Sequence, residues 1–163
     1  MNSNTDSQNK SNWSQAAYSW LMFMTSYYKR VSDLNIDIDE MMTLNTVVAH
    51  WLYKINSKDN KSYEELVAST DKEIREQLEG SKLSILSISN ILGQPKESTR
   101  RRVQKLIDFQ LLAKDQNNGI IVGENYTKIV EKFGRQTGKE LSRLINNLSE
   151  INWQNETEED KIN

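Results

Sequence analysis

The chain has no cysteine. Disulfides, thiolate nucleophiles and cysteine-ligated zinc are therefore excluded, and thiol usage says nothing of compartment. There is one histidine, His50. An imidazole without cysteine partners makes a metal centre unexpected, and no serine–carboxylate motif accompanies it. With one proline and six glycines, each glycine has a turn, cap or packing explanation, and no phosphate-binding glycine loop occurs. No apolar run approaches the roughly 20 residues that span a bilayer. The first twelve residues are polar with Lys10 their only basic one, so neither a leader nor a membrane partner is expected, and the cytoplasm is the default. Net positive charge is lacking too: the balance is −2, so affinity for a polyanion must come from a local patch. The acids Asp37, Asp39 and Glu40 stand at a helix start, where negative charge suits the dipole. Neither an enzyme nor a cofactor is expected.

What is present centres on residues 81–123. Ser84 can cap a helix whose apolar stripe is Ile85, Ile88, Ile91 and Leu92. Gly93 ends that helix in the left-handed conformation, and Pro95 restarts a second one that runs to about Phe109. Thr99, Val103, Leu106 and Ile107 share its inner face. Ser98, Arg101 and Lys105 lie opposite with Glu97 beside them, flanked by Arg100 and Arg102. Residues 96–105 hold five basic side chains (Lys96, Arg100, Arg101, Arg102, Lys105) against Glu97, a local +4 inside an acidic chain. Leu111 to Lys114 and Ile120 to Val122, joined through Asn117-Asn118-Gly119, read as a hairpin, since asparagine and glycine tolerate positive φ.

Leu92, Gly93, Pro95, Lys96, Glu97, Ser98, Arg100, Arg101, Val103 and Leu106, followed by the hairpin, resemble the winged helix-turn-helix of bacterial transcription regulators. The resemblance covers about a quarter of the chain. It implies that the second helix enters the major groove of double-stranded DNA. Lysine and arginine side chains among Lys96, Arg100, Arg102 and Lys105 would contact phosphates, Ser98 and Arg101 together with Glu97 or Lys105 would read base edges, and Asn118 would touch the backbone from the wing. The pattern departs in two places. Gln110 occupies a position where glycine is common, so that turn is expected to be strained or longer, and the wing tip is asparagine rather than arginine.

Around this module, residues 1–11 read as a disordered tail and 12–80 as a helical region. A helix over about 14–31 carries Trp13, Ala17, Trp20, Met24, Tyr27 and Val31 on one face, with Tyr18, Phe23 and Tyr28 off it, which points to more than one packing partner. Asp37 and Glu40 form a capping-box pattern for a second helix to about Ile55, with Met41, Leu44, Val48, Trp51, Leu52 and Ile55 inward and His50 satisfied or exposed. Two short helices, over 62–68 and 70–78, or one bent helix across both, are expected, ending at Gly80. Residues 124–153 read as one long helix with a near-heptad seam: Tyr126, Val130, Phe133, Thr137, Leu141, Leu144, Leu148 and Ile151. Gly134 and Gly138 would let a partner backbone approach. Residues 154–163 read as an acidic frayed tail.

The expected fold is mainly α with a small β-hairpin wing, the module being flanked by N-terminal helices and the long C-terminal helix. This layout is similar to the multiple-antibiotic-resistance type of regulator, whose terminal helices pack two subunits into a dimer. A homodimer is expected through Trp20, Tyr126, Val130, Phe133, Leu141, Leu144 and Leu148, unless the long helix folds back on its own N-terminal helices. A small apolar effector between the aromatic helices and the module would shift the spacing of the two DNA-reading helices. The competing expectation is a protein-interaction or scaffold module that binds no DNA.

Overall fold

A computed structural model describes the backbone of residues 3–56 and 83–151, with the side chains of 12–54, 83–129 and 131–151. In chain order the elements are α1 (Ser3–Ser32), α2 (Ile38–Asn56), α3 (Ile85–Leu92), α4 (Lys96–Asp108), β1 (Leu112–Lys114), β2 (Ile120–Val122) and α5 (Tyr126–Glu150). The fold is mainly helical with one antiparallel hairpin. The expected short helices over 62–68 and 70–78, and the tail from 154, lie outside the described residues. No helix among the described residues is long and apolar enough to cross a membrane.

Two compact units result: residues 34–131, and residues 1–33 together with 132–163. This is not the linear division that the sequence suggests, because α2 belongs with the α3–hairpin region and α1 with the greater part of α5.

Within 34–131, local chemistry fixes each boundary. Asp37 and Glu40 close the expected capping box: Glu40 N–H donates to Asp37 Oδ1 at 2.7 Å and Asp37 N–H to Glu40 Oε2 at 2.8 Å. Ser84 caps α3 by accepting from Ser87 N–H at 3.0 Å. Gly93 (φ 62°) and Gln94 close α3 with bonds to the Asn90 and Ser89 carbonyls, which is a Schellman ending. Pro95 precedes the first helical residue of α4. The core gathers Met41, Leu44, Val48 and Trp51 of α2, Ile88 of α3, Val103 and Leu106 of α4, and Leu111, Leu112 and Ile120 around the hairpin. Each such side chain stabilises the unit by about 1.5–3 kcal/mol. Leu52 of α2 is half-buried, Ile55 lies outside the described side chains, and His50 is half-exposed. Burial and then Lys54 push the His50 imidazole below its ordinary pKa.

The hairpin pairs Leu112 with Val122 and Lys114 with Ile120. A bond from Ile120 N–H to the Leu83 carbonyl (2.9 Å) adds Leu83, two residues before α3, to its edge, an association that the sequence did not suggest. The connection spans 115–119, longer than a two-residue turn. Only Asn118 takes positive φ (59°), whereas the Asn-Gly signal had allowed for it at both residues. Asp115 organises the loop instead, its Oδ1 accepting from Asn117 N–H at 2.8 Å and Gly119 N–H at 2.7 Å. Gly123 is needed for room: a β-carbon there would collide with the Gln110 carbonyl.

The other unit pairs α1 with α5. α1 starts at Ser3, so the expected tail over 1–11 is corrected to helix from that residue. Extending a formed helix by one residue costs far less than nucleating one, and it needs no buried face. α1 turns Phe23, Tyr27 and Arg30 toward α5. Tyr27 meets Phe133 edge-on at 5.5 Å, and the Arg30 guanidinium lies over the same ring at 5.9 Å while pairing with Glu140. The expected face through Trp13, Trp20 and Tyr27 is thus rotated: Trp13 (62% exposed), Trp20 (51%), Leu21 and Tyr28 face solvent. The physical reason is that α1 has apolar residues all round, and periodicity cannot choose among equivalent stripes.

Gln110 sits between α4 and β1 with φ 58°, a left-handed turn that costs a non-glycine residue roughly 1–2 kcal/mol. Gln110→Gly should therefore raise stability by about 1 kcal/mol, less whatever the exposed Gln110–Asn125 side-chain bond contributes. A urea midpoint that falls instead would show that this bond outweighs the backbone strain.

Candidate nucleic-acid interface

α4 buries Thr99, Val103 and Leu106, which fixes its orientation in the unit. At 100° per residue the row farthest from that face is Glu97, Arg101, Gln104 and Asp108, and all four are exposed. Lys96 and Arg100 stand to one side of this row; Ser98, Arg102 and Lys105 stand to the other. Gln104 was missed from sequence, although it lies three residues after Arg101. It donates to Asp108 Oδ1 at 2.9 Å, so the far end of the row is capped by a carboxylate.

The five cations are not equivalent. Arg102 reaches back across α4 to pair with Asp39 in the first turn of α2, and it donates from Nη1 to Gln94 Oε1 at 2.6 Å. Its side chain is only 22% exposed. Lys105 Nζ lies 2.7 Å from Glu40 Oε1, and Glu40 is buried. Lys105 also covers the Phe109 ring at 5.8 Å. The capping-box carboxylate of α2 therefore serves twice, at its own helix start and on the flank of α4. Arg100 forms a two-pronged pair with Glu97, its Nε donating to Oε2 at 3.0 Å and its Nη2 to Oε1 at 2.7 Å, in full solvent. That hydrogen bonding holds the Glu97 carboxyl below and the Arg100 guanidinium above their ordinary values. Lys96 and Arg101 have no ion-pair partner among the described residues.

The local charge changes accordingly. Five cations face Glu97, Asp39 and Glu40, so the expected +4 becomes 5 − 3, or +2, once the packing partner of α4 is counted. The sequence showed both acids, but only as helix-start residues. Nothing in it marked Gln94 as a bridge between Asp39 and Arg102.

The hairpin tip presents Asn117 and Asn118 as exposed amides. Asp115 is occupied by the loop amides.

Of the residues expected at a dimer seam, several are engaged within the chain. Tyr126 packs edge-on against Trp51 at 6.3 Å, Phe133 against Tyr27, and Leu144 is buried. Leu148 is half-buried, Trp20 and Leu141 are exposed, and Val130 lies outside the described side chains. A β-carbon at Gly138 would meet open space. Between α1 and α5 runs an open cleft of about 340 Å³, with Tyr18, Met22, Phe23 and Leu144 as apolar walls and Glu140 and Arg143 as its charged groups. Among the described residues, no histidine or acid cluster has the make-up to hold a metal ion.

No protein-family model matches the chain, and neither curated proteins nor solved structures match it.

Stability separates the two kinds of cation. Glu40→Ala removes both the capping box and the Lys105 pair and should cost about 2–3 kcal/mol. Arg101→Ala should stay within about 0.5 kcal/mol of wild type. Urea titrations of both variants provide the check. A Glu40→Ala midpoint equal to wild type would mean that the capping box and the Lys105 pair contribute nothing.

Proposed function

We propose that this chain is a sequence-specific, double-stranded-DNA-binding transcription regulator of the winged helix-turn-helix kind, acting as a homodimer. The observation that carries the reading is the solvent side of α4. Arg101 stands there unpaired among the described residues, Lys96 and Arg100 lie beside it, the helix is preceded by a capped helix and a tight turn, and a hairpin follows it. By resemblance to such regulators, the first turns of α4 enter the major groove. Lys96 and Arg100 contact phosphates, and Arg101 reads a base with Ser98 near it. Arg102 and Lys105 hold α4 at the angle that α2 dictates and are subtracted from the contact set. Asn118 adds an uncharged backbone contact from the hairpin.

Salt dependence tests the subtraction. Two phosphate-contacting cations per subunit, Lys96 and Arg100, give a dimer four phosphate contacts and a slope of log affinity against log salt of roughly −4, whereas adding Arg102 and Lys105 would give eight contacts and about −7. Replacing Lys96, Arg100 and Arg101 together by alanine should abolish binding to every duplex near 0.1 M salt. Unchanged fluorescence anisotropy titrations of that variant would overturn the DNA reading.

The proposed dimer uses the side of α1 that α5 leaves bare, Trp13, Trp20, Leu21 and Tyr28, with Leu141 and Ile145 of α5 also exposed. The same surface supports the second reading, a protein-interaction module without DNA binding. The cleft between α1 and α5 is the proposed seat of a small apolar effector. Sedimentation equilibrium should give twice the 19.0 kDa chain mass at micromolar concentration. Trp20→Ala with Leu21→Ala should return the monomer without lowering its stability. A wild-type monomer would reject the dimer.

A further inference from the structure

Glu97 is the residue of α4 that phosphate binding does not explain. A carboxylate in the outermost row of a helix repels a polyanion and lowers affinity for all duplexes alike. Its first-turn position suits the helix dipole, but that benefit requires no particular orientation of the side chain. The orientation is nevertheless fixed, because Arg100 grips both oxygens, at 3.0 and 2.7 Å. An ionised carboxylate offers about four acceptor positions, and this fork uses one on each oxygen, leaving about two. The guanidinium also offsets most of the charge that a nearby phosphate would feel. What remains is a pre-set group that only accepts hydrogen bonds. Arg101 lies four residues on in the same row, about 6 Å along the helix, which is less than two base-pair steps.

Resting on the DNA-binding reading above, we infer that Glu97 is a specificity-determining residue that accepts from the exocyclic amine of cytosine in the major groove, with Arg100 as the residue that positions it. The donor pattern of the groove selects the base. Guanine presents two acceptors, O6 and N7, to the carboxylate, and thymine presents O4 and a methyl group. Adenine offers its N6 amine, but N7 beside it opposes the second oxygen. Cytosine offers N4–H₂ with no neighbouring acceptor. Arg101 favours guanine by the complementary argument, so the half-site contains a cytosine and a guanine no more than two steps apart.

The test is binding-site selection from random duplex with the full chain, as wild type, Glu97→Gln, Glu97→Asp and Arg100→Gln. Titrations follow on the selected site and on its three single-base replacements. Wild type should lose roughly tenfold in affinity when the cytosine is replaced. Glu97→Gln should lose that preference or move it to adenine, while its affinity for a scrambled duplex holds or rises. Glu97→Asp keeps the charge but shortens the reach, and it should lose the preference as well. Arg100→Gln should retain the cytosine preference in weakened form. If Glu97→Gln selects the wild-type site and tightens on all four bases equally, Glu97 is only a solvated surface charge and the inference is overturned. If wild type selects no duplex even at low salt, the DNA reading itself fails, and this assignment with it.

Discussion

The contact on which the rest of residues 34–131 depends is the pairing of α2's first turn with the flank of α4. Asp39 takes Arg102, Glu40 takes Lys105, and Gln94 in the turn between α3 and α4 bridges to Arg102. Exposed ion pairs contribute little in general. These differ in two ways. Glu40 is buried and already committed to the N–H of Asp37, so its position is over-determined. Arg102 is largely covered, and its hydrogen bonds join two segments and a turn. Burial of Thr99, Val103 and Leu106 sets which side of α4 faces outward. The charged pairs add to that hold and decide which cations of α4 remain uncommitted.

The consequence is an economy of charge. A helix with five cations in ten residues reads as a strongly basic surface, yet three of them are answered by carboxylates, two from α2 and one from α4 itself. What is left outward is a narrow row with Arg101 and Glu97 at its centre and Lys96 and Arg100 beside it. On the proposed reading, such a surface binds DNA with modest non-specific affinity and relies on the identity of bases, because few phosphates are neutralised and one carboxylate must be satisfied. The helix pair α1–α5 follows a related logic. Tyr27 packs against Phe23 and Phe133 and Leu144 is buried, while, on the proposed reading, the bare tryptophan side of α1 is left to a second subunit.

Features set by relations within about four residues were legible from the chain alone. Ser84, Asp37 with Glu40, Gly93 and Pro95 placed helix ends correctly, because capping and φ preferences act locally. Two short apolar runs marked the strands of the hairpin, and the absence of glycine at position 110 flagged a strained turn there. Three things were not legible. Which cations of α4 were committed depended on Asp39 and Glu40, more than sixty residues earlier, and on the angle at which α2 packs. The side of α1 that meets α5 could not be chosen, since several of its faces are apolar. The loop at 115–119 was organised by an aspartate side chain rather than by the Asn-Gly pair that signalled it. Gln104 was recoverable from spacing, but its polar side chain carries no charge to draw attention to the row it completes.

The central claim is that α2 commits Arg102 while leaving Arg100 and Arg101 available. The most direct measurement follows the arginine Nε–Hε resonances by NMR as duplex DNA of a selected site is added. The account predicts that the Arg100 and Arg101 signals shift and sharpen on binding, while the Arg102 signal keeps its free position and its slow exchange with water. A shift at Arg102 as large as that at Arg101, or no shift at any arginine in a duplex-saturated sample, would contradict it.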